Sequence, residues 1–155
     1  MIQKISKVGV IGLGVMGFDI AFLYATRGCQ TFVYDAAKAA MDFLPRRTDQ
    51  TIERLKRRNR ISDGGIESIR NGLIAAVELK ELRRMDLVTE AVSENAKTKL
   101  AVYQSLREAG LAGILTTNTS SLARSTLLAT GVCDRDKFAL THFFNPVLYT
   151  RIVEV

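Results

Sequence analysis

The chain opens on an apolar, β-branched run, Lys7-Val8-Gly9-Val10-Ile11-Gly12, that turns glycine-rich at its end. A continuous run of this kind predicts a strand buried on both faces, as in a parallel sheet. Val15 to Arg27 places apolar residues at helical spacing and stops at Gly28, a residue suited to closing a helix. Thr31-Phe32-Val33-Tyr34 is a second short strand that ends at Asp35. Strand, turn, helix and strand together make one βαβ unit. Ala36 to Arg60 is a helical stretch rich in alanine and cations, in which Pro45 predicts a kink or a division into two helices. Asp63-Gly64-Gly65 marks a turn. Ile66 to Glu81 is ambiguous and reads as a short helix followed by a strand near Ala75-Ala76-Val77.

Further strands are expected at Asp86 to Glu90, Ile114 to Thr117, Phe138 to Thr141 and Arg151 to Val155. Lys97 to Glu108 has the pattern of an amphipathic helix, and Ser121 to Ala129 reads as another. Strands alternating with helices predict an α/β fold: a Rossmann-type, doubly wound, mostly parallel sheet with helices on both faces. With no repeat or low-complexity linker, residues 1–155 read as one domain. The chain stops directly after the last expected strand, which suggests a fragment of a longer protein.

A length of 155 residues is enough for one real core. No run of about eighteen apolar residues exists, so no membrane span is expected. Met1 to Lys7 leads straight into the first strand, without the charged leader and apolar core of a secretory signal. Cys29 and Cys133 are far apart and in no CxxC pair, which suits free thiols in a reducing compartment and a cytoplasmic location. No metal site is expected. The formal net charge is +6, and much of the excess lies between Arg46 and Arg60. Such a run fits a nucleic acid, an acidic surface or a phosphate-bearing ligand, and equally a solvated helix face. No aromatic residue is interleaved with these cations, which argues against a nucleic-acid partner.

Gly12-Leu13-Gly14-Val15-Met16-Gly17 has the GxGxxG spacing, and it follows a strand and opens a helix. Gly12 allows the tight turn, Gly14 lets the backbone approach a pyrophosphate, and Gly17 lets helix and strand pack closely. The free N–H groups at the helix start then face the phosphates. Asp35, at the end of the second strand, can accept hydrogen bonds from both hydroxyls of an adenosine ribose and would repel a 2′-phosphate, which favours NAD. Asp35 as a cap of the next helix fits the same place. The one histidine, His142, lies just past a predicted strand, where open α/β sheets hold their ligands. Histidine titrates near neutrality and serves as acid or base. Glu154 follows in the last expected strand, and a turn and return strand would bring its carboxylate to one ring nitrogen.

Three segments resemble the 3-hydroxyacyl-CoA dehydrogenase family: the Gly12–Gly17 loop; Thr89-Glu90-Ala91-Val92-Ser93-Glu94-Asn95 with the later Asn118-Thr119-Ser120-Ser121; and His142-Phe143-Phe144-Asn145-Pro146-Val147 through Glu154. The resemblance implies an oxidoreductase that moves hydride between NAD and C3 of a 3-hydroxyacyl thioester, with His142 as base and Glu154 orienting it. By the same resemblance Ser120 and Asn145 would contact both substrate and cofactor, Glu94 and Lys99 would line the nicotinamide side, and Thr51 and Arg58 would approach the CoA phosphates. Ser120 as a helix N-cap remains the alternative for that residue. Family enzymes carry a second, helical domain that this chain lacks, so an exposed apolar face and self-association are expected. Two alternatives stay open: an acyl group held on a carrier protein, which would also suit the basic run, and a non-catalytic NAD-binding module.

Overall fold

The computed structural model describes residues 4–150 and 152–155. Met1–Gln3, and Arg151 at the start of the last expected strand, lie outside the described residues. The elements in chain order are β1 (Lys7–Ile11), α1 (Val15–Thr26), β2 (Gln30–Tyr34), α2 (Lys38–Lys56), α3 (Asp63–Gly72), β3 (Leu73–Ala75), a 3₁₀ segment (Leu79–Arg84) and β4 (Leu87–Glu90). There follow α4 (Ala96–Glu108), β5 (Ile114–Thr117), α5 (Arg124–Leu128), a 3₁₀ turn (Arg135–Lys137), β6 (Phe138–Leu140), β7 (His142–Phe143) and β8 (Val153–Glu154).

Strands β1 to β6 form one sheet in the order β3-β2-β1-β4-β5-β6, every neighbouring pair parallel. The chain starts in the middle, winds outward one way to β3, then returns to wind the other way to β6. That reversal leaves a crevice beyond the carboxyl ends of β1 and β4, the place where such sheets bind ligands. Side chains of successive strand residues point to opposite faces. Val8 and Val10 join a core built with Phe18, Phe22, Ile52, Leu55 and Ile69 of α1 to α3, while Ile11 and Val88 join a second core with Tyr103, Leu106 and Leu127 of α4 and α5. The fold is the doubly wound α/β class expected from the alternation of strands and helices.

Five local expectations are corrected. α2 runs unbroken through Pro45 rather than dividing there. Pro45 is exposed, so the freed Met41 carbonyl side faces solvent rather than a packed interface. Asp63-Gly64-Gly65 is not a turn but the first turn of α3, because the Ser62 hydroxyl accepts from the Gly65 N–H at 3.2 Å and caps the helix. The third strand is Leu73–Ala75, earlier than Ala75-Ala76-Val77, since register with β2 is set by Thr31 opposite Leu73. Helix α5 covers only Arg124–Leu128 of the expected Ser121–Ala129. The last strand, β8, does not extend the sheet: it pairs antiparallel with β7 as a separate two-stranded ribbon, Glu154 opposite His142.

Candidate active site

The glycine-rich loop is shaped by contacts no larger residue would allow. Gly12 has φ of 91°, and a Cβ there would lie 2.7 Å from the Ala91 carbonyl oxygen. A Cβ on Gly17 would lie 1.7 Å from the Gly12 carbonyl oxygen. Gly14 is different: a Cβ there would meet nothing within 4 Å, because it faces the cleft. The loop therefore offers an open cradle at Gly14, where a diphosphate fits and a side chain would intrude. Asp35 fixes the same loop. Its carboxylate accepts from the Leu13 N–H at 2.7 Å and from the Ala37 N–H at 2.8 Å. Each oxygen keeps a free lone pair for a ribose hydroxyl. Leu13 thus commits its N–H to Asp35 and buries its side chain, and Met16 is half-buried below an exposed Val15.

Gly12, Gly14 and Asp35 line a cleft of about 570 Å³ with Tyr34, Leu79 and Val102. It meets a second cavity of about 420 Å³ along Ala91, Val92 and Ser93. The second cavity is walled by Val15, Met16, Glu94, Ser120, His142 and Asn145. Glycine loop and histidine therefore share one continuous crevice. Among the described residues no group of three or more His, Cys, Asp or Glu side chains is placed to hold a metal ion, and no helix is long and apolar enough to cross a membrane.

The hairpin of β7 and β8 brings His142 Nδ1 within 3.3 Å of Glu154 Oε2. The imidazole also stacks on Phe144, with ring centroids 4.5 Å apart. β7 is tied to the sheet by the Phe143 N–H, which donates to Asn118 Oδ1 at 3.1 Å, and by the Thr141 N–H, which donates to the Thr117 carbonyl at 2.9 Å. A carboxylate on Nδ1 fixes the tautomer that leaves Nε2 free to take a proton.

Beneath the cavity lies a buried charge network. Lys99 and Glu90 are both fully buried and paired at 2.9 Å. Glu90 also accepts from the Val92 N–H at 2.7 Å, Tyr103 Oη at 2.8 Å and Thr117 Oγ1 at 2.7 Å. Burial, with the Glu90 charge beside it, pushes the Tyr103 phenol far above its ordinary value, so it stays a donor. Lys99 reaches the Asn118 carbonyl at 3.2 Å and Glu94 at 3.4 Å. Glu94 accepts from the Thr119 hydroxyl, from Ser121 Oγ at 3.0 Å and from the Ser120 N–H at 3.2 Å. Burial alone would raise the Glu94 carboxyl, but these donors and the Lys99 charge outweigh it and hold it below its ordinary value. The network ties the loop after β4 to the loop after β5, which carries Ser120.

Other expected site residues fall in different places. Lys99 does not line the cavity; it is sealed below it, because Glu90 and Asn118 hold its ammonium inward. Thr51 is 5% exposed, on the core side of α2, so it is not available to a ligand. Arg58 is exposed and donates to Tyr149 Oη at 3.2 Å. Ser120 is no helix cap: α5 begins four positions later, capped by the backbone of Ala123. Sequence reasoning missed Glu90, Tyr103 and Asn118. Lys99, Tyr103 and Leu106 share the inward stripe of α4, and a lysine on such a stripe signals a buried partner. Both cysteines are free and half-buried, and burial pushes the Cys133 thiol up to about 11.

Comparison with known proteins gives this architecture relatives. Residues 7–155 match the family model described as 3-hydroxyacyl-CoA dehydrogenase, NAD binding domain. The chain is 35% identical to 3-hydroxyadipyl-CoA dehydrogenase of Escherichia coli, over 100% of this chain and 33% of that protein. It is 30% identical to the fatty acid oxidation complex subunit alpha of Idiomarina loihiensis, over 99% of this chain and 21% of that one. It superposes on the crystal structure of (S)-3-hydroxybutyryl-CoA dehydrogenase from Ralstonia eutropha with a TM-score of 0.86 and 28% identity, covering 97% of this chain and 53% of the other. The chain thus spans about a third or less of the curated relatives' length.

Proposed function

The chain belongs to the family of 3-hydroxyacyl-CoA dehydrogenase NAD-binding domains, and from that premise we propose that it works in an oxidoreductase acting at C3 of a 3-hydroxyacyl thioester. The residues fit the cofactor: the open cradle at Gly14 suits a diphosphate, and Asp35 stands where a ribose would lie. When bound, NAD supplies the hydride acceptor.

The observation that carries the catalytic reading is the His142–Glu154 pair at the rim of the crevice that begins at the glycine loop. With Nδ1 held by Glu154, Nε2 takes the proton of the 3-hydroxyl, and the carboxylate stabilises the imidazolium that results. The Ser120 hydroxyl makes no hydrogen bond among the described residues, which leaves it to orient the substrate oxygen beside Asn145. Glu94 acts as the anchor of the Ser120 loop on the nicotinamide side, and Lys99 acts through Glu94 rather than by contact.

The test is oxidation of NADH with acetoacetyl-CoA, run beside His142→Gln. Loss of a general base lowers turnover by about 10²–10⁴-fold, with NAD affinity unchanged. Equal turnover in the variant would remove His142 from the chemistry, whereas NAD binding with no turnover on either the CoA or the carrier-bound substrate would favour a plain NAD-binding module. A carrier-bound acyl group is the second reading. It is favoured by Arg54, Lys56, Arg57, Arg58 and Arg60, all exposed and without a carboxylate partner among the described residues. The same cations suit the phosphates of CoA, and comparing the two substrates decides between them. Tyr149, Ile152, Val153 and Val155 expose apolar surface around the hairpin, which supports cover by a further domain or a second copy. Free, half-buried thiols suit a cytoplasmic setting.

A further inference from the structure

We propose that Arg47, on α2, is a positioning residue for the diphosphate: it sets the direction of the glycine loop's free N–H groups and places a fixed positive charge behind them. The inference rests on the dinucleotide reading of the loop. Arg47 Nη1 donates to the Leu13 carbonyl at 2.7 Å and to the Gly14 carbonyl at 3.2 Å. Its guanidinium lies 4.0 Å from the centroid of the Phe18 ring, one turn into α1. It is half-buried, whereas Arg46 beside it and Arg54 further along the same helix are exposed.

The consequence follows from peptide geometry. In a planar trans peptide the C=O and the next N–H point in opposite directions. Carbonyls of Leu13 and Gly14 drawn toward Arg47 therefore turn the N–H groups of Gly14 and Val15 away from it. Gly14 lines the first cavity and Val15 the second, while Arg47 lines neither, so N–H groups turned away from Arg47 are turned toward the crevice side. As groups of the helix's first turn they have no intrahelical acceptor and are free for an anion. Asp35 holds the Leu13 N–H from the other side, so the Leu13–Gly14 turn is clamped at both ends. Asp19 lies on α1 among the same cations; burial raises its carboxyl, while Arg47 and Arg54 pull it down. Burial lowers the Arg47 guanidinium below its ordinary value while Asp19 raises it, and a guanidinium stays charged in a protein.

Ligands with and without the diphosphate separate this role from plain support of the fold. ADP-ribose and adenosine are titrated by NMR into the chain, Arg47→Met and Arg47→Lys, with thermal unfolding measured alongside. Arg47→Met is expected to weaken ADP-ribose about tenfold to a hundredfold, the range of a charge-assisted hydrogen bond, and to leave adenosine unchanged. Arg47→Lys, which keeps the charge and loses the fork, falls between and carries the comparison if the methionine variant unfolds. Added salt narrows the gap between wild type and Arg47→Met. Equal weakening of both ligands, or unchanged ADP-ribose affinity in both variants, overturns the proposal. Wild-type protein that binds no ADP-ribose overturns the dinucleotide reading together with it.

Discussion

An added methyl group has opposite consequences at Gly14 and Gly17. At Gly17 it collides with the Gly12 carbonyl, backbone against backbone, with nothing flexible to give way. Gly17→Ala is expected to lower stability by about 3 kcal/mol or more, measured by denaturant unfolding. At Gly14 the methyl group enters empty cleft, and the backbone at φ −59° lies outside the left-handed region that favours glycine. Gly14→Ala is expected to unfold like the wild type and to bind NAD about tenfold more weakly, roughly 1.4 kcal/mol, by fluorescence titration. The residues of this loop were legible in the sequence because their meaning is local: strand, glycines, helix and Asp35 lie within one βαβ unit. Lys99 was not. Its burial depends on Glu90 from another element, and Thr51, expected near a ligand only by resemblance, is buried on the face of α2 that meets the core.

Among the elements, α2 carries the clearest conflict between propensity and packing. Pro45 lacks an N–H and crowds the preceding turn, yet Leu44, Thr51, Ile52 and Leu55 bury one face and hold the helix together. Pro45→Ala is expected to raise stability by about 1–3 kcal/mol, seen as a higher denaturant midpoint with an unchanged slope. α3 shows the converse. Asp63, Gly64 and Gly65 are turn formers by composition, but a helix's first-turn N–H groups need no intrahelical partner, and Ser62 supplies one from outside. Turn chemistry and cap chemistry use the same residues, so the boundary was not readable without the helix's packing against α1.

At the scale of the molecule, the sheet and the hairpin differ in how firmly they are held. β1 and β4 are central and wholly buried apart from Lys7, whereas β8 is exposed at both positions. Hydrogen exchange is expected to be slowest at the amides of β1, β4 and β5 and fastest in β7 and β8; equal protection throughout would contradict this. The alternation of strands and helices sufficed to read the sheet, but not that β8 leaves it, since a short terminal strand carries no mark of its partner. The buried Lys99 also bears on how such a chain changes over generations. Its ammonium answers two carboxylates, so a descendant that loses it strands Glu90 at a cost of about 3–5 kcal/mol. No single substitution leads from this arrangement to an apolar one without crossing that loss. A lineage that has once adopted the trio is held there by the depth of the intermediate, quite apart from what catalysis selects.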